Sequence, residues 1–186
     1  EGDLKSPPVI DDWKIVEQAM ALGDLVEPLG FDGIWGPEHF GTPYGMTPNP
    51  LQMLAYFAGR TERVTFGTQI IVAPWWNPVR LAHQIAWLDI VSNGRYESIG
   101  LGRGVAKSEF DALGIPRDEA MQRLVETIDI LELAFTGERF AYEGQVFKIP
   151  DMQLRPQPRS KDLFSRLLGA VAVSVVGRKA PTWVGG

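Results

Sequence analysis

Hydrophobic residues along the chain switch between two spacings, and this alternation predicts helices separated by short buried strands. Apolar residues at steps of three and four predict a first helix from about Asp12 to Leu29, which Gly30 ends. The segment FDGIWG at 31–36 then predicts a short buried strand.

Two further helices share one start signal. The Asn-Pro pairs at 49–50 and 77–78 put asparagine at the N-cap and proline at the first helical position. Between these helices, the apolar and β-branched run at 64–73 predicts a second strand, and residues 95–101 predict a third.

The most regular helical pattern runs from Met121 to Phe135. After it, residues 138–149 predict an irregular or hairpin excursion with a turn at Gly144, and residues 152–158 form a segment broken by prolines. Helices and strands therefore alternate, and no Ser/Gly-rich linker divides the chain. This order predicts βα units, a parallel sheet and a single α/β domain over residues 1–186.

Charge and cysteine content exclude several classes of function. The net charge of −5 and the pI near 5.1 argue against nucleic acid as the main partner. No apolar stretch approaches the roughly 18 residues of a membrane span. The absence of cysteine excludes disulfides and thiolate metal sites and fits a reducing cytoplasm. Two distant histidines make a poor ligand set, so we predict no metal site.

Residues suited to chemistry follow the three predicted strands. In a parallel barrel, the loops after the strands converge on one mouth, so these residues are expected to share a rim. They are Glu38 and His39 after the first strand, Trp75 and Trp76 after the second, and Arg103, Gly104 and Glu109 after the third.

His39 is the sharpest candidate at this rim. An imidazole here could act as a general base or hold a reactive intermediate near neutral pH, and the alternative is a hydrogen-bonded loop histidine. Glu38 could orient the imidazole, although neighbouring side chains often point apart. The other histidine, His83, falls within a predicted helix and is expected to be exposed or satisfied there.

The remaining candidates each have a structural alternative. Arg103 lies between two glycines and could grip a phosphate or a cofactor carbonyl, or it could be an incidental charge in a turn. Trp75 and Trp76 could wall an apolar pocket or simply pack. Glu109 and Arg123 could make supporting or phosphate contacts, or could be solvated helix residues. The residues alone thus predict a soluble α/β barrel with a site for an organic cofactor.

An ordered series of short motifs resembles the bacterial luciferase-like flavin-dependent monooxygenases. Its order and spacing hold from about Ala19 to Ser160. The motifs are FDGIW at 31–35, EHF at 38–40, GRT at 59–61, NPVRLA at 77–82, SNGR at 92–95, GLGRG at 100–104 and RPQP at 155–158.

The resemblance implies a partial (β/α)8 TIM barrel, roughly its first half, without the first strand and the C-terminal βα units. Residues 171–186 match nothing in the family pattern and are expected to form an atypical tail. Because barrel closure removes exposed sheet edges, a half barrel is expected to be poorly stable or to self-associate.

The resemblance also implies an activity. In the family, reduced FMN is taken up as a diffusible substrate, with a flavin reductase as its source. It reacts with O2 to give a flavin hydroperoxide, which oxygenates a small organic substrate such as an aldehyde or alkane. A cytoplasmic dimer of this kind is the favoured hypothesis. Three alternatives stay open: an inactive, truncated flavin-binding or dimer-forming protein, a deazaflavin-dependent hydride-transfer enzyme, and an unrelated barrel such as a metal-dependent hydrolase.

Site residues follow from the same resemblance. His39 matches the histidine implicated in handling the flavin–oxygen intermediate, and is the expected catalytic residue. Cofactor contacts are expected from Arg103, which matches an arginine on the flavin phosphate, and from Glu109, which matches an acidic position near the flavin. Arg123 is a third expected contact, on the residues alone and without a family match. The Gln69–Ile70 bond matches a place where the family often has a non-proline cis peptide against the flavin.

Overall fold

The computed structural model describes residues 11–170 and a short strand beyond them. In chain order the elements are α1 (Asp12–Val26), β1 (Gly33–Gly36), α2 (Pro50–Ala58), β2 (Thr65–Val72), α3 (Pro78–Val91), β3 (Tyr96–Gly102), α4 (Lys107–Leu113), α5 (Ala120–Phe135), β4 (Arg139–Glu143), β5 (Lys148–Gln153), β6 (Leu167–Ala170) and β7 (Thr182–Trp183). Single turns of 3-10 helix lie at 73–75, 117–119 and 163–166.

One parallel sheet organises the fold. Its strand order is β1-β2-β3-β6-β7, and every neighbouring pair is parallel. Strands β4 and β5 form a separate antiparallel hairpin, as the 138–149 segment predicted. The predicted α/β class with a parallel sheet is therefore confirmed, and β6 adds a fourth strand that the periodicity did not reveal.

The predicted helix starts are confirmed by their caps. The Asn49 side chain accepts a hydrogen bond from the backbone N–H of Gln52 (3.0 Å). The Asn77 side chain accepts from the N–H groups of Val79 and Arg80, each at 3.1 Å. Each cap satisfies N–H groups that have no partner within the helix.

Elements α1, β1 and α4 differ from the prediction. Helix α1 ends at Val26 rather than Leu29 because Pro28 cannot continue it. Strand β1 begins at Gly33, since Phe31 before it is 60% exposed and unpaired with the sheet. Helix α4 was not predicted as a separate element, because its seven residues are too few to show a helical period.

The hydrophobic core lies between the sheet and helices α2, α3 and α5. It contains side chains from every one of these elements, and most of them are fully buried. Representative members are Leu51, Leu54, Phe57, Phe66, Ile71, Leu81, Ile85, Ile99, Leu101, Leu124, Ile128 and Leu131.

Two carboxylates hold distant loops by accepting from backbone N–H groups. Glu27 accepts from the N–H groups of residues 62–64 at 2.7–3.2 Å, and these bonds lower its pKa to about 2. Glu126 accepts from the N–H groups of residues 145–147 at 2.8–3.1 Å. Burial opposes ionisation of Glu126, but Gln122 and these N–H groups together keep its pKa below the ordinary value.

Asp89 anchors a third loop in the same way. It is fully buried, and its two oxygens accept from Ser160: 2.8 Å from the backbone N and 2.7 Å from the hydroxyl. Arg166 approaches Asp89 to 3.8 Å. These contacts fasten the long segment that leads from the hairpin to β6.

Arg95 joins the start of β3 to the end of α2. Its guanidinium donates to four carbonyl oxygens, of Ala58, Thr61, Val64 and Ser92, and to the Thr61 hydroxyl, at 2.8–2.9 Å. The same group lies 4.9 Å from the centre of the Phe66 ring. A single half-buried side chain thus satisfies carbonyls from three separate segments.

Two expectations remain, one about membrane-spanning helices and one about the ends of the chain. No helix among the described residues is long and apolar enough to cross a membrane. Apart from β7, the predicted tail at 171–186 lies outside the described residues, as does the segment before residue 11.

Candidate functional site

The carboxyl ends of β1, β2 and β3 lie at one edge of the sheet, because the three strands are adjacent and parallel. His39 follows β1 after two residues, and Arg103 follows β3 directly. The imidazole and the guanidinium singled out from the sequence therefore lie at the same edge, which we call the mouth.

The His39 imidazole pairs with a carboxylate 70 residues away. Its Nδ1 lies 3.3 Å from Oε1 of Glu109, and the same oxygen accepts the backbone N–H of Phe40 at 2.9 Å. Glu109 is only 4% exposed, so it is not the solvated helix residue that its place in the sequence suggested as the alternative. Helix α4 carries this carboxylate to the mouth in its first turn.

A loop after β1 covers other parts of the imidazole. The Tyr44 ring meets it edge-on, with 4.7 Å between ring centres. Gly45 has a φ of +73°, and a Cβ there would lie 2.6 Å from Cδ2 of His39. The backbone N–H of His39 donates to the carbonyl of Thr47 at 3.0 Å. Glycine is therefore needed at position 45 both for its backbone angle and for the ring beside it.

Glu38 does not orient the imidazole, which corrects the sequence-based suggestion. Its side chain is 5% exposed and faces β2 instead, accepting from the Val72 backbone N–H at 2.6 Å and from Nε1 of Trp76 at 2.9 Å. Burial raises its pKa to about 7, against the two hydrogen bonds, and the charge of Glu109 adds to the rise. Adjacent residues thus point apart, and Glu109 takes the place beside His39.

The raised pKa of Glu38 predicts a pH-dependent stability. The folded protein binds this proton more tightly than the unfolded chain, so the stabilisation is complete below pH 4.5 and is lost as the pH rises to about 7. From the difference between 4.5 and about 7, the loss is at most about 3 kcal/mol. Urea unfolding between pH 4.5 and 8 should show the Glu38→Gln variant gaining stability relative to the unsubstituted protein as the pH rises.

The exposed residue Asp118 provides the control for this measurement. Replacing it with asparagine removes a carboxylate but should leave the pH trend in place. A Glu38→Gln variant whose stability runs parallel to the unsubstituted protein at every pH would contradict the assignment.

Arg103 is exposed at the mouth and is not engaged by the rest of the fold. Within residues 11–170, its guanidinium has no hydrogen-bond or ion-pair partner, unlike those of Arg60, Arg95 and Arg166. Gly104 follows it with a φ of +74°, and a Cβ there would lie 2.6 Å from Cγ1 of Val72. The turn therefore requires glycine and presents a free cation.

The Gln69–Ile70 peptide bond is cis, as the resemblance predicted. The pairing of β2 with β3 shifts at this point, since Thr68 pairs with Ile99 and Ile71 pairs with Leu101. Gly100 lies opposite the shift, and a Cβ there would lie 2.1 Å from the Thr68 carbonyl oxygen. Gln69 and Ile70 on β2 thus lie opposite the single residue Gly100 on β3, which is a β-bulge. Gln69 is exposed at this bulge.

Arg123 is not part of the His39–Glu109 contact. It pairs with Glu119 at 2.8 Å, and its guanidinium lies 5.5 Å from the centre of the Phe147 ring. Within the described chain, no hydrogen bond or ion pair joins it to His39 or Glu109. Its predicted part in cofactor binding stays a prediction.

The remaining candidates mainly make packing contacts. The Trp75 ring packs edge-on against Phe110 at 5.7 Å, and Trp76 is held by Glu38. The Nε1 of Trp75 is buried without a partner among the described residues. His83 is half-buried in α3 and its Nδ1 contacts the Val79 carbonyl at 2.7 Å, which confirms it as a satisfied helix residue.

The loop residues beside His39 were not predicted from the sequence. Tyr44 and Gly45 fall in a stretch rich in Gly, Pro and Thr, where no period marks a contact. The glycine at position 45 was the available sequence signal for a tight turn. In the structure, Gly45 and Met46 both have positive φ.

Comparison with known proteins identifies consistent relatives. The family described as luciferase-like monooxygenase matches residues 8–186. The oxygenase component of a flavin-dependent trigonelline monooxygenase from Acinetobacter baylyi is 32% identical, with 78% of this chain and 40% of the relative covered. An F420-dependent glucose-6-phosphate dehydrogenase from Microbacterium testaceum is 31% identical, with 90% of this chain and 52% of the relative covered.

A solved structure agrees with these relatives. A monooxygenase from Streptomyces bottropensis superposes with a TM-score of 0.73 and 30% identity, covering 87% of this chain and 49% of that chain. The chain thus spans about half or less of the length of these three relatives, between 40% and 52%.

Proposed function

Because this chain belongs to the luciferase-like monooxygenase family, we propose that it forms the flavin-handling part of a monooxygenase that uses reduced FMN and O2 to oxygenate a small organic substrate. The sheet is, on this proposal, roughly half of a (β/α)8 barrel whose mouth is the site.

The observation that carries the proposal is the arrangement at the mouth. A buried carboxylate, Glu109, holds the imidazole of His39 at the same edge of the sheet as the free guanidinium of Arg103. A titratable ring and an unengaged cation at the carboxyl ends of parallel strands suit a cofactor with a reactive ring and an anionic tail.

The described residues fit FMN. Arg103 offers a planar donor group for a phosphate or a ring carbonyl. The bulge at 69–70 interrupts the regular hydrogen bonding between β2 and β3. The backbone there and the exposed Gln69 side chain are therefore available to contact the flavin ring. Gly104 lets the turn beside Arg103 pack closely against Val72. Arg123 would assist at the phosphate only if its pair with Glu119 opened.

The chain's own residues have distinct parts in this proposal. Reduced FMN supplies the electrons that activate O2. His39 holds or moves a proton at Nε2, the ring nitrogen that Glu109 does not engage. Glu38 keeps the ends of β1 and β2 together through Val72 and Trp76. Aldehydes, alkanes and similar small molecules are the proposed substrate class.

Partners and setting are part of the same proposal. The trigonelline relative is named as an oxygenase component, which supports a separate flavin reductase as the source of reduced flavin. Tyr56 on α2 and Trp87 on α3 are 46% and 54% exposed, and they support a dimer that covers these helices. We also propose a cytoplasmic location.

A deazaflavin-dependent hydride-transfer enzyme is the second candidate. The Microbacterium relative, named as F420-dependent, favours it at nearly the same identity. The mouth would serve either cofactor, because both carry a flat ring and a phosphate tail. An inactive flavin-binding protein is the third outcome.

The test combines binding and turnover. The protein is titrated anaerobically with reduced FMN, and oxygen uptake is then followed with an aliphatic aldehyde while a flavin reductase supplies reduced FMN. We expect saturable binding of reduced FMN and oxygen uptake that depends on the aldehyde. Sequencing the DNA on both sides of this segment would supply any longer reading frame for the same assay.

Three other results would reject the monooxygenase. FMN binding without aldehyde-dependent oxygen uptake would favour the inactive flavin-binding protein. Preferential binding of coenzyme F420, with hydride transfer in the absence of oxygen, would favour the second candidate. Failure to bind either cofactor would reject all three.

A further inference from the structure

The carboxylate of Glu109 contacts His39 and the backbone of Phe40. One oxygen, Oε1, meets both Nδ1 of His39 at 3.3 Å and the backbone N–H of Phe40 at 2.9 Å. The second partner is a donor by its chemistry, so this oxygen acts as an acceptor. An ionised carboxylate has no proton to donate, so Nδ1 of His39 carries the proton of this contact.

The other contacts of the ring agree with this assignment. Tyr44 meets the imidazole edge-on, and the Gly45 backbone closes over its Cδ2 edge. Within the described chain, Nε2 has no hydrogen-bond partner. A neutral ring with its proton on Nδ1 leaves a lone pair on Nε2, which is then the nitrogen free to accept a proton.

We propose that Glu109 is a positioning residue that fixes the tautomer and the orientation of His39, so that Nδ1 is the donor and Nε2 is the acceptor presented at the mouth. This role rests on the proposed function for its use in turnover. The flavin contact that the resemblance implied for Glu109 stays a prediction, because His39 and Phe40 engage only Oε1 of the carboxylate.

The tautomer can be measured without any cofactor. The chain has only two histidines, so a ¹⁵N-histidine-labelled sample gives two imidazole spin systems. At a pH where both rings are neutral, their ¹⁵N shifts report which nitrogen holds the proton. His83 is the internal reference, since its Nδ1 contacts the Val79 carbonyl and must be protonated there.

The unsubstituted protein should show His39 with its proton on Nδ1. Glu109→Gln keeps an acceptor oxygen and should keep this tautomer. Glu109→Ala removes the acceptor and should move at least half of the His39 population to the Nε2–H form, while His83 stays unchanged. Asp111→Ala is the matched control, because it removes an exposed carboxylate from the same helix α4.

Two results would overturn the proposal. One is an Nε2–H tautomer at His39 in the unsubstituted protein, which requires no variant to fold. The other is a Glu109→Ala variant with an unchanged His39 tautomer. Neither depends on flavin binding, so the inference about Glu109 and the proposed function can fail separately. If turnover is obtained, Glu109→Ala should lower kcat more than it raises KM for the aldehyde.

Discussion

Turnover by the His39→Ala variant is expected to fall by about 100- to 10,000-fold, the range typical for loss of a positioned general acid or base. His39 is the only imidazole at the mouth among the described residues, and Glu109 pairs with its Nδ1. The measurement is aldehyde-dependent oxygen uptake with reduced FMN, together with the binding of reduced FMN. We expect the rate to fall much more than the affinity, because the ring acts on a proton rather than on the phosphate.

His83→Ala is the matched control for this prediction. It removes the other imidazole of the chain, whose contact lies inside helix α3. Its rate should stay near that of the unsubstituted protein. His39→Gln, which keeps a polar side chain near Glu109, separates loss of proton transfer from loss of folding. Full turnover by a folded His39→Gln or His39→Ala protein would remove His39 from the mechanism.

The largest effect on stability is expected from Arg95→Ala, with a loss of about 3–4 kcal/mol in the free energy of unfolding. The substitution leaves the half-buried carbonyls of Ala58, Thr61 and Val64 without their donor. It also removes the stacking on Phe66. Chemical unfolding at constant pH, followed by circular dichroism, measures the loss.

Arg60, in the GRT motif at 59–61, offers the comparison with Arg95. It forms a two-pronged pair with Asp24, but the Arg60 side chain is 47% exposed and the Asp24 side chain 34%, so Arg60→Ala should cost far less. Arg95→Lys should fall between the two, because an ammonium has three donors and no planar fork. Equal losses for Arg60→Ala and Arg95→Ala would show that the carbonyl contacts of Arg95 contribute little.

These two arginines also show what the sequence could predict. Both belong to the ordered motifs, GRT at 59–61 and SNGR at 92–95, which led to the family. The structure gives both a role in holding the fold, since they bind Asp24 and backbone carbonyls. Motif order was therefore a reliable guide to the family, while the role of each motif residue depended on contacts that no motif reveals.

Local patterns predicted the helices well, because caps act over a few residues. Asn49 and Asn77 bond to N–H groups two or three positions away, so their sequence signal is complete. Strand β6 was missed for the opposite reason. Its four residues pair with β3, far back along the chain, and no local period distinguishes them.

The site was predicted in position but not in its pairings. The strand ends placed His39 and Arg103 at one edge because parallel strands share a direction. The partner of His39 could not be predicted, since Glu109 lies on the unforeseen helix α4 and 70 residues away. The adjacent Glu38 was the obvious candidate, and the burial of its side chain against β2 excluded it.

The three carboxylates that hold distant loops should affect the rate of unfolding. Glu27, Asp89 and Glu126 bond to residues as many as 37, 71 and 21 positions away, respectively, through the contacts with Val64, Ser160 and Phe147. We expect such bonds to form after the helices and strands between them have docked, and so to contribute little to the transition state for folding. On that expectation, the three carboxylates lower the rate of unfolding more than they raise the rate of folding.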